Sequence, residues 1–155
     1  MGEKTLDAIL EIAMSKEKDA FDFYMDLRKK IKAKDVRDTL EFLAGEERKH
    51  LEFLEEYHDG SYGPGALRLT EVVDYKVAEH LEKPDIEKDM ESKDVYLVAA
   101  HREMLSYNFY QSLADLHPDG HVKEMLLKMA NEEMKHKEKV EYLYSNTAFP
   151  QTAGG

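Results

Sequence analysis

The chain has 155 residues, 42% apolar and 35% charged, with a net charge of -11 at neutral pH. This length suits one domain with a sizeable core, and so acidic a balance argues against nucleic acid or an anionic membrane as partner, since both need a basic surface. There is no cysteine, which excludes disulfides, thiolate metal sites, iron–sulfur clusters and a cysteine nucleophile.

Four long helical patterns follow in chain order. The first is expected from about Thr5, a candidate N-cap, to Lys32. The second runs from Val36 to about His58, capped by Asp35 and stopped by Gly60. These form one hairpin, residues 5–58. A linker over residues 59–91 opens with the loop Gly60-Ser61-Tyr62-Gly63-Pro64-Gly65. No strand precedes those glycines and no Gly-Lys-Ser/Thr follows, so they are not a phosphate loop. A short amphipathic helix is expected from Thr70 to Lys83, before Pro84. The second hairpin, residues 92–145, consists of a helix from about Ser92 to Leu116, the turn His117-Pro118-Asp119-Gly120, and a helix from about His121 to Ser145. A frayed tail, 146–155, closes the chain.

The hairpins repeat. A shift of 86 residues aligns Ala13 with Ala99, Glu17 with Glu103, Phe23-Tyr24 with Phe109-Tyr110, and Leu27 with Leu113. It also aligns Val36 with Val122, Leu40 with Leu126, Ala44 with Ala130, Glu46-Glu47 with Glu132-Glu133 and Lys49-His50 with Lys135-His136. With Glu52/Glu138 and Glu55/Glu141 these make fourteen ungapped identities, where chance gives roughly three. Two short connections and one long one suit an all-α four-helix bundle of two hairpins joined by a crossover, in a single domain spanning 1–155.

Spacings of three and four select the buried stripes. They are Ile9, Ala13, Glu17, Ala20, Tyr24, Leu27 and Ile31; Val36, Leu40, Leu43, Glu47, His50 and Leu54; Val95, Ala99, Glu103, Ser106, Tyr110 and Leu113; and Val122, Leu126, Met129, Glu133, His136, Val140 and Leu143. Acids and histidines interrupt otherwise apolar, small or tyrosine stripes at matching heights. A buried carboxylate costs several kcal/mol unless paired or bound to metal, and four facing one another repel and take up protons. Two divalent cations cancel four such charges, and neutral imidazoles complete the coordination. Glu-x-x-His places both ligands on one helix face, roughly 60° and 4.5 Å apart. Thirty residues separate Glu17 from Glu47 and likewise Glu103 from Glu133, so each pair meets at one height across a hairpin. One Glu from each of two helices plus a Glu-x-x-His from each of the others is a dimetal ligand set. The expected metal ligands are therefore Glu17, Glu47, His50, Glu103, Glu133 and His136.

A third Glu-x-x-His, Glu55 to His58, has no repeat partner and reads as surface, since composition alone supplies about one such match. Tyr24 and Tyr110 lie seven residues beyond Glu17 and Glu103 and are candidates to hydrogen-bond the carboxylates; buried aromatics are also ordinary core. Glu46 and Glu132 are either orienting partners of the histidines or exposed acids. Ala13, Ala20, Ala99 and Ser106 either leave room for metals and a small oxidant or simply let helices pack closely. His80, His101, His117 and His121 fit no ligand pattern.

At Glu17-x-x-Ala20-x-x-Phe23-Tyr24, Glu46-Glu47-Arg48-Lys49-His50, Glu103-x-x-Ser106-x-x-Phe109-Tyr110 and Glu132-Glu133-Met134-Lys135-His136 the sequence resembles the rubrerythrin-like branch of the ferritin-like diiron proteins. The resemblance implies that Glu47 and Glu133 bridge two iron ions, that Glu17 and Glu103 are terminal ligands, and that His50 and His136 complete one iron each. It implies reduction of hydrogen peroxide to water, and a homodimer, in some members with exchanged hairpins. Two departures stand out. The rubredoxin domain typical of the family needs cysteines that this sequence lacks, so a separate electron donor such as a free rubredoxin is expected. Family members also carry a further Glu three residues after the third-helix ligand, where this chain has Ser106, which bears on the ligand exchange that accompanies peroxide reduction.

The leading expectation is a redox enzyme that reduces peroxide, or less readily dioxygen. The alternatives are a ferroxidase that handles iron and a bundle whose metal only stabilises the fold. The same ligands accept manganese or zinc. The absence of a long apolar span and of a signal-like N-terminus points to a cytoplasmic protein with no membrane partner.

Overall fold

The computed structural model describes residues 6–59, 74–87 and 90–149. Among them are five helices and no strand: α1 (Leu6–Lys29), α2 (Lys34–His58), α3 (Val77–His80), α4 (Ser92–Asp115) and α5 (His121–Ala148). The four long helices form the expected all-α bundle, with α1 packed on α2 and α4 on α5.

Several boundaries differ from expectation, each for a local reason. α1 ends at Lys29 rather than Lys32 because the chain tightens into i→i−3 bonds, from Lys30 N to Leu27 O and from Ile31 N to Arg28 O. The turn still drives Ile31 into the core. Asp35 is not the cap of α2. The helix begins two residues earlier than expected, at Lys34 behind the extended Ala33, and Asp35 sits in its first turn, where a negative charge favours the helix dipole. α5 continues to Ala148, three residues into the expected tail. It starts after Gly120, whose φ of 150° disfavours any residue with a Cβ. Of the helix expected over Thr70 to Lys83, only Val77–His80 is helical among the described residues. Thr5, the loop from Gly60 to Gly65, and Thr70 lie outside them.

The seven stripe positions expected in α1 and the six in α2 are all buried. In the second hairpin Ser106, Leu113, Val122 and Leu143 are only partly buried; the last three lie towards the ends of their helices, where fewer neighbours cover them. Two apolar clusters result. One gathers Tyr24, Leu27, Ile31, Val36, Leu40, Leu43, Val95, Ala99 and Val140. The other gathers Ile9, Leu10, Ala13, Leu54, Tyr110, Leu126 and Met129. The first joins the C-terminal half of α1 to the N-terminal halves of α2 and α4, so each of those helices runs antiparallel to α1. Each such aliphatic side chain contributes about 1.5–3 kcal/mol on full burial, and the polar stripe residues sit between the two clusters.

The crossover adds asymmetry. Val95 through Ala100 are buried all round α4, because residues around α3 cover its outer face: Ala78 joins the first cluster, and His101 Nε2 lies 2.7 Å from Leu81 O.

Candidate metal centre

Each long helix presents one carboxylate to the bundle axis, and the six expected residues converge. Glu17, Glu47, Glu103 and Glu133 are 0–2% exposed, and His50 and His136 are 4% and 5% exposed. Their ligand atoms form two groups, Glu17/Glu47/His50/Glu133 and Glu47/Glu103/Glu133/His136, with the atoms of each group within 4.8 Å of one another. Glu47 and Glu133 belong to both. The sequence repeat has become a local two-fold relation.

The histidines are oriented for this role. His50 Nδ1 lies 2.9 Å from Glu133 Oε1 and 3.7 Å from Glu17 Oε1, while its Nε2 faces Glu132 Oε1 at 3.9 Å. His136 repeats the pattern, with Nδ1 at 3.1 Å from Glu47 Oε1 and 3.6 Å from Glu103 Oε2, and Nε2 at 3.8 Å from Glu46 Oε1. Glu46 and Glu132 are partly buried, and each lies within ion-pair reach of the histidine of the other hairpin but beyond hydrogen-bond distance. A carboxylate on the outer nitrogen fixes the ring and leaves the inner nitrogen for a metal. The rings themselves stack at 5.4 Å.

Tyr24 and Tyr110 are fully buried and cross the bundle in opposite directions. The Tyr24 hydroxyl donates to Glu103 Oε1 at 2.9 Å, and the Tyr110 hydroxyl to Glu17 Oε1 at 2.6 Å. Burial first, and then the facing carboxylates, push both phenols well above their ordinary range, so each remains a hydrogen-bond donor.

The electrostatics are those of a cation site. Burial, followed by repulsion from neighbouring carboxylates, raises Glu47 and Glu133 well above the ordinary carboxylate range. Burial opposes protonation of His50 and His136, but the surrounding carboxylates outweigh it and raise both. Burial also pushes Glu17 up, yet hydrogen bonds with Glu47 and His50 leave it lowered. Contact with His136 holds Glu46 down at about 2, and contact with His50 does the same for Glu132. Glu17 Oε2, Glu47 Oε2, Glu103 Oε2 and Glu133 Oε2 are buried without a hydrogen-bond partner. Orphaned buried carboxylate oxygens carry a large desolvation penalty, and divalent cations between them remove it. The residues present fit a pair of metals.

His80, His101, His117 and His121 stay out of the cluster, as expected. His117 Nδ1 lies 2.7 Å from Leu113 O, and His121 stacks on Tyr57 at 5.5 Å. Glu55 is exposed and His58 only partly buried. One buried polar group was not expected. Lys137 and Glu141 are both fully buried. Lys137 Nζ contacts Glu141 Oε2 at 2.9 Å, Asp74 Oδ1 at 2.6 Å and Glu79 Oε1 at 2.8 Å, and Glu141 Oε2 accepts from Ala78 N at 2.9 Å. The available signal was a break in the repeat, since Lys137 stands where the first hairpin has Leu51 while Glu141 matches Glu55.

The sequence profile of the rubrerythrin family matches residues 8–144. The chain belongs to the rubrerythrin family. Among solved structures, a hypothetical protein from Pyrococcus furiosus is similar over 96% of this chain and 93% of its own, with 24% identity and a TM-score of 0.63, a likeness of fold. No curated protein matches. Among the described residues, no helix is long and apolar enough to cross a membrane.

Proposed function

We propose that this rubrerythrin-family chain is a non-haem diiron protein that reduces hydrogen peroxide, and dioxygen less readily, with electrons from a separate donor. The observation that carries the reading is the pair of buried ligand groups sharing Glu47 and Glu133. In this reading Glu17, Glu47, His50, Glu103, Glu133 and His136 would hold two metals, with Glu47 and Glu133 common to both ligand groups. Two ferrous ions held there would supply one electron each, enough, with two protons, to convert hydrogen peroxide to two waters and leave both irons ferric.

The chain's own residues set the conditions for that chemistry. Four carboxylates neutralise two divalent cations, so the reduced site is charge-balanced within a dry bundle. Tyr24 and Tyr110 hold one oxygen each of Glu103 and Glu17, keeping the terminal ligands aimed inward. Glu46 and Glu132 face the imidazoles from outside. The two apolar clusters exclude water on either side of the cluster, which strengthens every interaction between them. With no cysteine in the sequence, a rubredoxin-type iron is absent from it, and a soluble one-electron carrier such as a rubredoxin fills that role.

Stopped-flow mixing of the anaerobic, ferrous-loaded protein with peroxide and with dioxygen tests the reading. Fast, peroxide-selective oxidation is expected. Slow oxidation without selectivity, or uptake of far more iron than two per chain, would replace this reading with iron handling.

A further inference from the structure

The seam between α1 and α4 is built differently on its inner and outer sides. Inside, Tyr24 and Tyr110 bond the carboxylates of the opposite helix. Outside, one residue before each of those carboxylates, a cation lies over a ring of the opposite helix: Lys16 Nζ is 4.9 Å from the Phe109 centroid, and the Arg102 guanidinium carbon 4.5 Å from that of Phe23. Lys16 and Arg102 correspond in the repeat, as do Phe23 and Phe109. The stacking holds both cations against the rim of the seam.

Between them lies a cleft of about 130 Å³ lined by Lys16, Asp19, Arg102, Leu105 and Ser106. Its innermost residue by register is Ser106, one turn beyond Glu103 on the stripe that also carries Tyr110. The repeat counterpart of Ser106 is Ala20, which is buried, whereas Ser106 is half-buried. Among the described residues, the seam is thus less closed at Ser106 than at its counterpart Ala20. A second cleft, lined by Lys18, Phe21, Asp22, Arg48 and Leu51, contains no residue of the ligand stripes. On the far side of the cluster the rings of His50 and His136 stack, with Phe42 edge-on to His136.

We propose that the α1–α4 cleft is the route by which a small polar oxidant reaches the carboxylate cluster, with Ser106 as the positioning residue at its inner end. This rests on the peroxide-reducing reading above. The size fits: 130 Å³ holds a few water-sized molecules at roughly 30 Å³ each and falls short of the roughly 300 Å³ at which organic ligand pockets begin. The chemistry fits too. The rim offers charged hydrogen-bonding groups and Ser106 a hydroxyl that both donates and accepts, which suits a neutral peroxide better than an apolar substrate.

The test uses Ser106→Phe to fill the inner end and Leu105→Trp to narrow the mouth. Leu105 is 62% exposed, so the second variant keeps the fold. Leu51→Phe in the other cleft is the control. Azide association with the cobalt(II)-loaded protein, followed by cobalt absorption, reads access without turnover, and peroxide oxidation of the ferrous-loaded protein reads it with turnover. The route predicts association slowed about tenfold or more, one decade of barrier, in both seam variants, with metal content and the control unchanged. Wild-type association in both seam variants overturns it. Slowed azide association without peroxide-selective oxidation keeps the route and removes the peroxidase reading.

Discussion

The Tyr110 hydroxyl on α4 crosses the bundle to Glu17 on α1 with a 2.6 Å hydrogen bond, the counterpart of the 2.9 Å bond from Tyr24 on α1 to Glu103 on α4. Each hairpin thus steadies a buried carboxylate of the other. The carboxylate cluster and the docking of the hairpins are held by the same pair of contacts.

Tyr110→Phe keeps the ring in its apolar cluster and deletes only the donor. Removing such an outer partner lowers metal affinity about 10–100-fold, and a buried carboxylate oxygen left without its donor costs about 1–3 kcal/mol. Chelator competition and urea unfolding of the loaded protein measure both. Tyr24→Phe is expected to match it through Glu103. Unchanged affinity in both variants would reduce the tyrosines to packing.

Metal-free protein is expected to lose stability as the pH rises. Glu47 and Glu133 have folded pKa values above the ordinary 4.5, so their ionisation penalises the fold progressively above that value. His50 and His136 are raised above the ordinary 6.5. Their stabilisation is fully present below 6.5 and lost as the pH passes through the raised folded values. Both effects lower stability as the pH rises, the carboxylates from above 4.5 and the histidines from above 6.5. The lowered Glu46 and Glu132 act in the opposite sense, losing their contribution as the pH falls from 4.5 towards about 2. Metal uptake displaces the protons on the raised groups, so stabilisation by metal grows with pH. Thermal melts across this range, with chelator and with ferrous ion, are expected to diverge; parallel curves would contradict the protonation scheme.

Lys137→Leu imports the residue that the first hairpin carries at Leu51. It leaves Glu141 buried with Ala78 N as its remaining partner and releases Asp74 and Glu79. Breaking a buried pair by removing one member costs about 3–5 kcal/mol. Urea unfolding is expected to show a loss of that order for Lys137→Leu, and a much smaller loss for Leu51→Ala on the open face of the first hairpin. Equal losses would mean that the Lys137 network does not fasten the crossover.

The bundle was legible because its stripes obey one local rule. Ile9 to Ile31 and Val36 to Leu54 follow helical spacing without a break, and all are buried. The centre was legible because Glu17, Glu47 and His50 violate the apolar pattern at positions that recur 86 residues on. The Lys137–Glu141 network was not legible. Its partners Asp74 and Glu79 come from the crossover, 63 and 58 residues away, and no periodicity links them. Cap chemistry failed at Asp35, where the extended Ala33 opens the helix without a side-chain cap. Among the described residues, the short helix expected before Pro84 covers only Val77–His80, with Lys76 at a left-handed φ of 54° just before it.

The most direct test of the shared, two-metal centre is elemental analysis of protein prepared without chelators, in wild type, Glu17→Ala and Glu47→Ala. Glu17 belongs to one ligand group, and Glu47 to both. About two irons per chain are expected in the wild type, with one position weakened in Glu17→Ala and both lost in Glu47→Ala. Equal metal content in Glu47→Ala and wild type, or a folded wild type that ferrous ion cannot load, would contradict the dimetal centre.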